Sequence, residues 1–213
     1  MIYVVITDLQ NSKWDCRIAR QPHYILTDQI REYIEKTRNE NTRAERTLAY
    51  TTLLCSLDRF FSVKEPVIDR NQNGKPALLN CDIHISISHC DGVAVTALTD
   101  DGEIGVDIQS VIDEDKAKRL EERFLSGISV KQNEVNIKYF SVAFTDKGAC
   151  FNEILTENDE TIDFLSKWVY TESVIKAFGL SFSDISKIND LSSSTETKTV
   201  KYKNFKIATT IAK

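Results

Sequence analysis

A carboxylate in the middle of an apolar strand is the feature that most restricts how this chain can fold. Residues 105–109 read Gly-Val-Asp-Ile-Gln. Side chains alternate between the two faces of a strand, so Gly105, Asp107 and Gln109 share one face and their apolar neighbours the other. A buried carboxylate is costly unless a cation or a hydrogen-bond donor meets it. Either the fold brings such a partner to Asp107, or the strand lies at an edge and Asp107 is solvated.

Helical and strand patterns alternate along the chain, which predicts an α+β fold. The apolar residues 2–6 indicate a buried first strand, and Thr42-x-x-Glu45 has the spacing of a capping box that opens a helix to about residue 62. The turn signal at 99–102 predicts a hairpin. The predicted elements of the remaining chain are strands at 93–98 and 103–108, helices at 114–125 and 161–178, a closing Gly179, and two or three strands within 185–211 around a polar turn at 191–199.

Composition excludes several classes of function. The chain has 213 residues with a formal net charge of −5, which argues against bulk electrostatic binding to nucleic acid or to an anionic membrane. Its five cysteines are odd in number and form no C-x-x-C pair, so we expect reduced thiols in a cytoplasmic protein. The first apolar run is too short for a membrane span and lacks a basic leader.

Three polar or aromatic residues recur at intervals of four in the predicted helix at 161–178. Trp168, Glu172 and Lys176 therefore form one stripe along that helix. The stripe places an aromatic ring, a carboxylate and an ammonium in line. A Glu-Lys pair on the surface, with the tryptophan in the core, is the alternative that the spacing leaves open.

A further strand is predicted at 82–89, and the histidines and cysteines in and around it offer two interpretations. Cys81-x-x-His84 followed by His89-Cys90 has the residue types of a zinc site. Strand alternation argues against zinc, because His84 and Ser88 share one face while His89 lies on the other. A basic helix start at Arg43 and Arg46 could bind an anion or be an ordinary solvated face.

Together these groups suit a phosphate-rich ligand. Mg²⁺ is usually held by one or two carboxylates plus the phosphate oxygens of its substrate, and Asp107 and Glu172 could supply the carboxylates. Four residues could donate to several phosphates, namely Arg46, Lys75, His89 and Lys176. The combination predicts a nucleotide ligand and transfer of a phosphoryl-linked group.

Four short motifs, in order and at similar intervals, resemble the 4'-phosphopantetheinyl transferases of the long, pseudo-dimeric, surfactin-synthetase-activating type. The motifs are Gly74-Lys-Pro76, Ile87-Ser-His89, Gly105-Val-Asp-Ile108 and Trp168-x-x-x-Glu172-x-x-x-Lys176. Arg46-Thr-Leu-Ala is also similar to the start of the first long helix in that family. The resemblance spans roughly residues 41 to 180.

The resemblance implies two similar α/β halves related by a pseudo-twofold axis, which we place at residues 1–104 and 105–213, with the active site in the cleft between them. It implies Mg²⁺-dependent transfer of 4'-phosphopantetheine from coenzyme A to a serine of an apo acyl or peptidyl carrier protein, with release of 3',5'-ADP. We expect a monomer, since both halves lie in one chain.

The resemblance also assigns the residues that bind coenzyme A. Gly74, Lys75 and Pro76 would lie along the adenine, with the lysine adding a positive charge near the nucleotide. Arg46 and His89 would hold the 3'-phosphate. The basic residues that precede Arg46 in the family have no unique counterpart here; the candidates are Arg31, Lys36, Arg38 and Arg43.

The resemblance also assigns the residues around the reacting diphosphate. Ser88 would contact the diphosphate, and Asp107 and Glu172 would hold Mg²⁺ on it. Glu172 would take the serine proton, directly or through water, and Lys176 would neutralise charge on the departing nucleotide. Gln109 stands where the family often has glutamate; its amide oxygen could still ligate the metal or orient a water.

Two smaller departures from the family, Thr171 for lysine and Ser86 for asparagine, do not touch this chemistry. One alternative is a degenerate relative that binds coenzyme A or a carrier protein without catalysis, with Gln109 as its first lesion. Another is an unrelated soluble binding domain with surface charge pairs. Retention of Asp107, Glu172 and Lys176 together distinguishes the enzyme from the first alternative.

Overall fold

The computed structural model describes residues 1–9, 28–145 and 148–213. Within these ranges the fold is mixed α+β, as the sequence predicts. The strands are β1 (Ile2–Asp8), β2 (Ile68–Arg70), β3 (Pro76–Leu78), β4 (His84–Cys90), β5 (Val93–Thr99), β6 (Glu103–Ser110), β7 (Ile137–Thr145), β8 (Gly148–Glu153), β9 (Glu157–Asn158), β10 (Thr195–Tyr202) and β11 (Phe205–Ala212). The α-helices are α1 (Asp28–Glu35), α2 (Glu40–Phe61), α3 (Glu114–Leu120), α4 (Phe164–Ala177) and α5 (Ile188–Leu191).

The first sheet has the strand order β4-β5-β1-β7-β8, and its strands β5 and β1 are buried on both faces. Val5 of β1 packs in the cluster that contains Leu48 and Leu53 of α2. Val4 and Ile6, on the opposite face, pack with residues of the second sheet. A strand covered on both faces needs apolar residues throughout, which explains the continuous apolar run of β1.

The second sheet, β6-β11-β10-β9, lies between the first sheet and α4. Ile104, Val106 and Ile108 of β6 face the first sheet. Helix α4 covers the other face of β6, where Ser173 Oγ lies 2.7 Å from Thr210 Oγ1 of β11. The layers therefore run helix, sheet, sheet, helix, and the polar face of β6 is turned toward α4.

The predicted hairpin across 99–102 is wrong, because β5 and β6 belong to different sheets. Both edges of β5 are already paired, with β1 and with β4, and all seven of its residues are buried. The chain crosses instead from one sheet to the other, and Gly102 adopts a φ of +81° at the crossing. Crossing lets the apolar face of β6 pack on the face of the first sheet rather than add to its edge.

The start of α2 also differs from the prediction. Asn39 is the N-cap, and its side chain accepts from the Thr42 N–H at 3.0 Å, so the helix begins before the predicted capping box. Glu45 thus lies inside the helix. The other helices agree better: α3 continues as a π-helical turn at Glu121–Leu125, and α4 ends as predicted, with Gly179 at a φ of +61°.

Two strands of the first sheet come from a part of the sequence where no element is predicted. β7 pairs in parallel with β1, and β8 pairs with β7. The predicted polar turn at 191–199 is also wrong in part, because β10 begins at Thr195 and forms a hairpin with β11.

The boundary at residue 104 lies next to the crossing between sheets and stays a prediction. No helix in the described ranges is long and apolar enough to cross a membrane, and Cys16 falls outside those ranges.

Gly105 decides how closely α4 can approach β6. A Cβ atom at this position would overlap with the Ser173 carbonyl oxygen and the Ala177 amide nitrogen, both backbone atoms of α4. Backbone atoms cannot move aside as the end of a flexible side chain can. The glycine of the Gly105-Val-Asp motif is therefore a packing requirement.

We predict that Gly105→Ala lowers the free energy of unfolding by at least about 2 kcal/mol, because the added methyl group forces α4 away from the sheet. Urea titration followed by circular dichroism measures the change. An unfolding midpoint equal to that of the wild type would contradict this account of the motif.

Candidate functional site

Three side chains from three elements meet where β4, β6 and α4 approach each other. Lys176 Nζ donates to Asp107 Oδ1 at 2.6 Å and to Ser88 Oγ at 2.9 Å. Ser88 Oγ in turn donates to Asp107 Oδ1 at 2.8 Å. Asp107 is only 5% exposed. The buried carboxylate thus has both the cation and the hydroxyl partner that its position in an apolar strand requires.

The local packing explains why these side chains meet. Ser86 and Ser88 lie on the face of β4 that is turned toward β6, and Ser86 Oγ accepts from the Val106 N–H at 3.0 Å. This bond joins the two sheets beside Asp107. On the other side, the close approach of α4 at Gly105 brings Lys176 within reach of Asp107.

Glu172 lies one helical turn before Lys176 and completes the cluster. Burial raises the pKa of Glu172, the negative charge of Asp107 raises it further, and Lys176 opposes both. Two carboxylates that repel each other in a partly buried site are stabilised by added positive charge. The pair fits Mg²⁺, which takes one or two protein carboxylates and fills its remaining positions with water and substrate phosphate oxygens.

No group of three His, Cys, Asp or Glu side chains in the described ranges could hold a metal by itself. The zinc hypothesis therefore receives no support there. The two histidines diverge: His84 Nδ1 lies 3.1 Å from Glu103 Oε1, whereas His89 Nδ1 lies 2.8 Å from Glu45 Oε2. A magnesium ion at Asp107 and Glu172 would depend on the phosphates of its ligand.

Gln109 makes its described hydrogen bond to the end of β4. Its amide nitrogen donates to Cys90 Sγ at 3.6 Å. Cys90 Sγ also lies 3.6 Å from Ser110 Oγ, and burial raises the pKa of the Cys90 thiol. The Gln109 amide group therefore contacts the end of β4. A role for its oxygen as a metal ligand stays a prediction.

The positive charges of Arg46 and Lys176 both act on the His89 ring. Burial lowers the pKa of His89, Glu45 raises it, and the positive charges of Arg46 and Lys176 lower it again. Arg46 donates from Nη1 to Thr37 Oγ1 at 2.6 Å, and its guanidinium carbon lies 4.5 Å from the centre of the Tyr33 ring. Its buried Nε has no hydrogen-bond partner among the described residues.

Gly74, Lys75 and Pro76 lie against the C-terminal end of α4. Lys75 Nζ donates to the Ala177 carbonyl oxygen at 2.6 Å and to Glu103. Burial lowers the pKa of Lys75, although Glu103 opposes that shift. The ammonium thus fastens the loop to the helix end, where unpaired carbonyl groups favour a cation.

Next to this loop is a cavity of about 490 Å³. Lys75 and Pro76 line one side of it, and His84, Glu103 and Ala177 line another. The lining residues of β4 and β6 are each four positions before Ser88 and Asp107, a separation of about 13 Å along a strand. The cavity and the carboxylate cluster thus lie at successive positions along β4 and β6.

Two residues near the site were not predicted from the sequence. Arg70 packs its guanidinium 3.7 Å from the centre of the Tyr33 ring, and it donates to the Tyr50 hydroxyl at 2.7 Å and to the Gly74 carbonyl oxygen. It therefore braces the Gly-Lys-Pro loop. Glu45 pairs with His89, although its spacing from Thr42 suggested a capping box. The sequence signal that could have predicted the burial of Glu45 was its spacing of three residues from Leu48, which places both on the buried side of α2.

The other basic candidates lie at or before the start of α2. Arg31 and Lys36 form ion pairs with Asp28 and Glu32 and are largely exposed. Arg38 is exposed, and Arg43 donates to the Thr37 carbonyl oxygen at 2.8 Å. Arg43 and Arg46 therefore meet at the same threonine, which makes Arg43 the better placed of the four candidates.

Trp168 belongs to an aromatic cluster. Its ring centre lies 5.4 Å from that of Phe182 and 5.8 Å from that of Phe164. The half-buried ring therefore packs α4 against the segment that follows it. The stripe of Trp168, Glu172 and Lys176 thus has a packing end and a polar end.

We predict that Glu172→Gln stabilises the protein at neutral pH. The pKa of Glu172 is raised on folding, so the unfolded chain releases this proton at lower pH than the folded protein does. The free energy of unfolding therefore decreases as the pH rises from about 4.5 through the pKa of the folded protein. Glutamine removes that loss and should raise Tm at pH 7 by about 2–4 °C. Thermal unfolding at about pH 4 and at pH 7 provides the measurement.

The advantage of the glutamine variant should become small at about pH 4, because there the wild-type carboxyl is mostly protonated in both states. Glu157→Gln, at an exposed carboxylate of β9, is the matched control and should leave Tm unchanged at both pH values. A Glu172→Gln variant that is less stable than the wild type at pH 7 would contradict the raised pKa.

Comparison with known proteins leaves the family open. No protein-family model matches the chain, and no curated protein matches it either. The four motifs and the geometry of their side chains are therefore the basis for assigning a function.

Proposed function

We propose that the protein is a 4'-phosphopantetheinyl transferase, which moves the 4'-phosphopantetheine group of coenzyme A to a serine of an apo acyl or peptidyl carrier protein. The observation that carries the proposal is the convergence of Ser88, Asp107, Glu172 and Lys176 beside the two strands that also line the cavity at the Gly-Lys-Pro loop. These residues come from distant parts of the sequence, and each belongs to one of the four motifs.

The proposal includes two halves related by a pseudo-twofold axis, and the topology supports it. In the first half, a strand (β1) is followed by a helix (α2) and a hairpin (β4-β5), and the strand pairs antiparallel with the second hairpin strand. In the second half, β6, α4 and the hairpin β10-β11 repeat this arrangement. The candidate site lies where β4 of one unit meets β6 and α4 of the other.

The separation between the cavity and the carboxylate cluster suits an extended ligand such as coenzyme A. The cavity beside Lys75 and Pro76 would take the adenine, while Arg46 and His89 would bind the 3'-phosphate. Its diphosphate would lie at the carboxylate cluster, about 13 Å along the strands. In this arrangement Lys75 contributes mainly by holding the loop, because its ammonium is already bonded to α4 and Glu103.

Asp107 and Glu172 would hold Mg²⁺, which would neutralise charge on the diphosphate. The carrier serine oxygen attacks the phosphorus that bears the pantetheine, and the bond from that phosphorus to the bridging oxygen of the diphosphate breaks. Glu172 takes the serine proton, directly or through water. Lys176 offsets the charge that develops on 3',5'-ADP.

We predict that the purified protein, incubated with coenzyme A, Mg²⁺ and a panel of apo carrier proteins, adds phosphopantetheine to a carrier serine. Intact-protein mass spectrometry detects the adduct. Asp107→Asn keeps the shape of the side chain but removes its charge, and it should reduce the rate about 100-fold or more. Binding of coenzyme A without transfer to any carrier would favour the non-catalytic relative, and a fully active Asp107→Asn variant would refute the metal assignment.

Gln109 gives a second test of the metal site. If its amide oxygen reaches the ion, Gln109→Glu should lower the Mg²⁺ concentration needed for half-maximal rate, because a carboxylate attracts Mg²⁺ more strongly than an amide does. Gln109→Leu should raise that concentration. Mg²⁺ titrations of the initial rate at saturating coenzyme A and carrier measure both midpoints. Two unchanged midpoints would show that Gln109 serves the contact with Cys90 and not the metal.

A further inference from the structure

The carboxylate of Glu45 joins α2 to the β4–β5 hairpin beside the candidate site. Glu45 is 9% exposed. Its Oε1 accepts from the Gly92 N–H at 2.6 Å, and its Oε2 lies 2.8 Å from His89 Nδ1. Gly92 and Asp91 form the two-residue turn of the hairpin, with φ values of +79° and +47°. Both oxygens of one carboxylate therefore hold one hairpin against the helix.

This contact decides which nitrogen of His89 is available. A carboxylate can only accept a hydrogen bond, so Nδ1 must carry a hydrogen and donate it to Glu45. Nε2 then remains as the ring nitrogen that can meet a ligand. A phosphate also accepts, and Nε2 can bond to it only when the ring carries both hydrogens.

The charges around His89 come from three elements. Glu45 and Arg46 belong to α2, and Lys176 belongs to α4 and is paired with Asp107 of β6. Burial and the two cations lower the pKa of His89, and Glu45 is the group that raises it. The net effect holds the pKa of His89 below its ordinary value, and loss of Glu45 would lower that pKa further.

We propose that Glu45 is a positioning residue, which fixes the orientation of the His89 ring and stabilises the doubly protonated ring when the 3'-phosphate of coenzyme A binds to Nε2. This inference rests on the proposed function, because it takes that phosphate as the partner of His89. Negative charge on both sides of the ring then leads to the uptake of one proton when the nucleotide binds.

Glu45→Gln tests the inference with little change of shape. The amide oxygen can still accept from Gly92, but the amide NH₂ faces Nδ1, which must then accept, and the ring hydrogen moves to Nε2. The neutral ring can donate to phosphate without gaining a proton. In the wild type, the preference for coenzyme A over 3'-dephospho-coenzyme A should decrease as the pH rises from about 6 to about 8.5. In the variant this preference should be about 10-fold smaller at pH 6 and nearly independent of pH.

Calorimetric binding in two buffers of different ionisation enthalpy counts the protons taken up. The wild type should take up more protons with coenzyme A than with 3'-dephospho-coenzyme A, and the variant should not. This wild-type measurement does not depend on the folding of any variant. Glu40→Gln, exposed in the first turn of α2, removes the same charge from the same helix and should behave as the wild type does.

The ring tautomer can be measured directly, since the sequence has three histidines. Nitrogen-15 spectra of histidine-labelled protein, assigned with His89→Gln, should show hydrogen on Nδ1 in the wild type and on Nε2 in Glu45→Gln. Failure of the wild type to bind coenzyme A would overturn the proposed function and this inference with it. Normal binding with the same tautomer, preference and proton uptake in wild type and variant would overturn the inference alone.

Discussion

The contact between α4 and β6 at Gly105 is the constraint on which the site depends. It allows the helix backbone to approach the strand so closely that no Cβ atom fits between them. At this separation Lys176 reaches Asp107 and Ser88 across the junction of the two sheets. A buried carboxylate, a glycine and a lysine seventy residues away in the chain are thus parts of one packing arrangement.

The Gly-Lys-Pro loop is held to the same helix by a different set of contacts. Asn73 Nδ2 donates to the Gly179 carbonyl oxygen at 2.9 Å, and Lys75 bonds to the Ala177 carbonyl oxygen. Gly179 closes α4 with the Leu180 N–H donating to the Ile175 carbonyl oxygen at 3.0 Å. The end of α4 therefore positions the loop beside the cavity, while the turn before it carries the polar cluster.

The periodicity of the sequence was enough to predict that α4 carries Glu172 and Lys176 on one stripe and that Asp107 lies on the polar face of its strand. Strand pairing was not predictable in the same way. The turn signal at 99–102 describes local backbone geometry, whereas the partner of β6 is decided by which faces become buried. The contact of Glu45 with His89 joins residues 44 apart, which no local pattern records. β7 has the β-branched and aromatic residues of a strand, but the polar residues before and after it in the sequence made this pattern hard to recognise.

The parallel pairing of β1 with β7 has a consequence for how the protein folds. Ile2 is opposite Ile137, so β1 gains one of its two neighbours only after strands β2 to β6 have been synthesised. Contacts between such distant residues carry a large loop-closure cost and slow folding. Until β7 arrives, one edge of β1 exposes unpaired backbone groups that could pair with another chain. We therefore expect the nascent protein to be most prone to aggregation before residue 145 has left the ribosome.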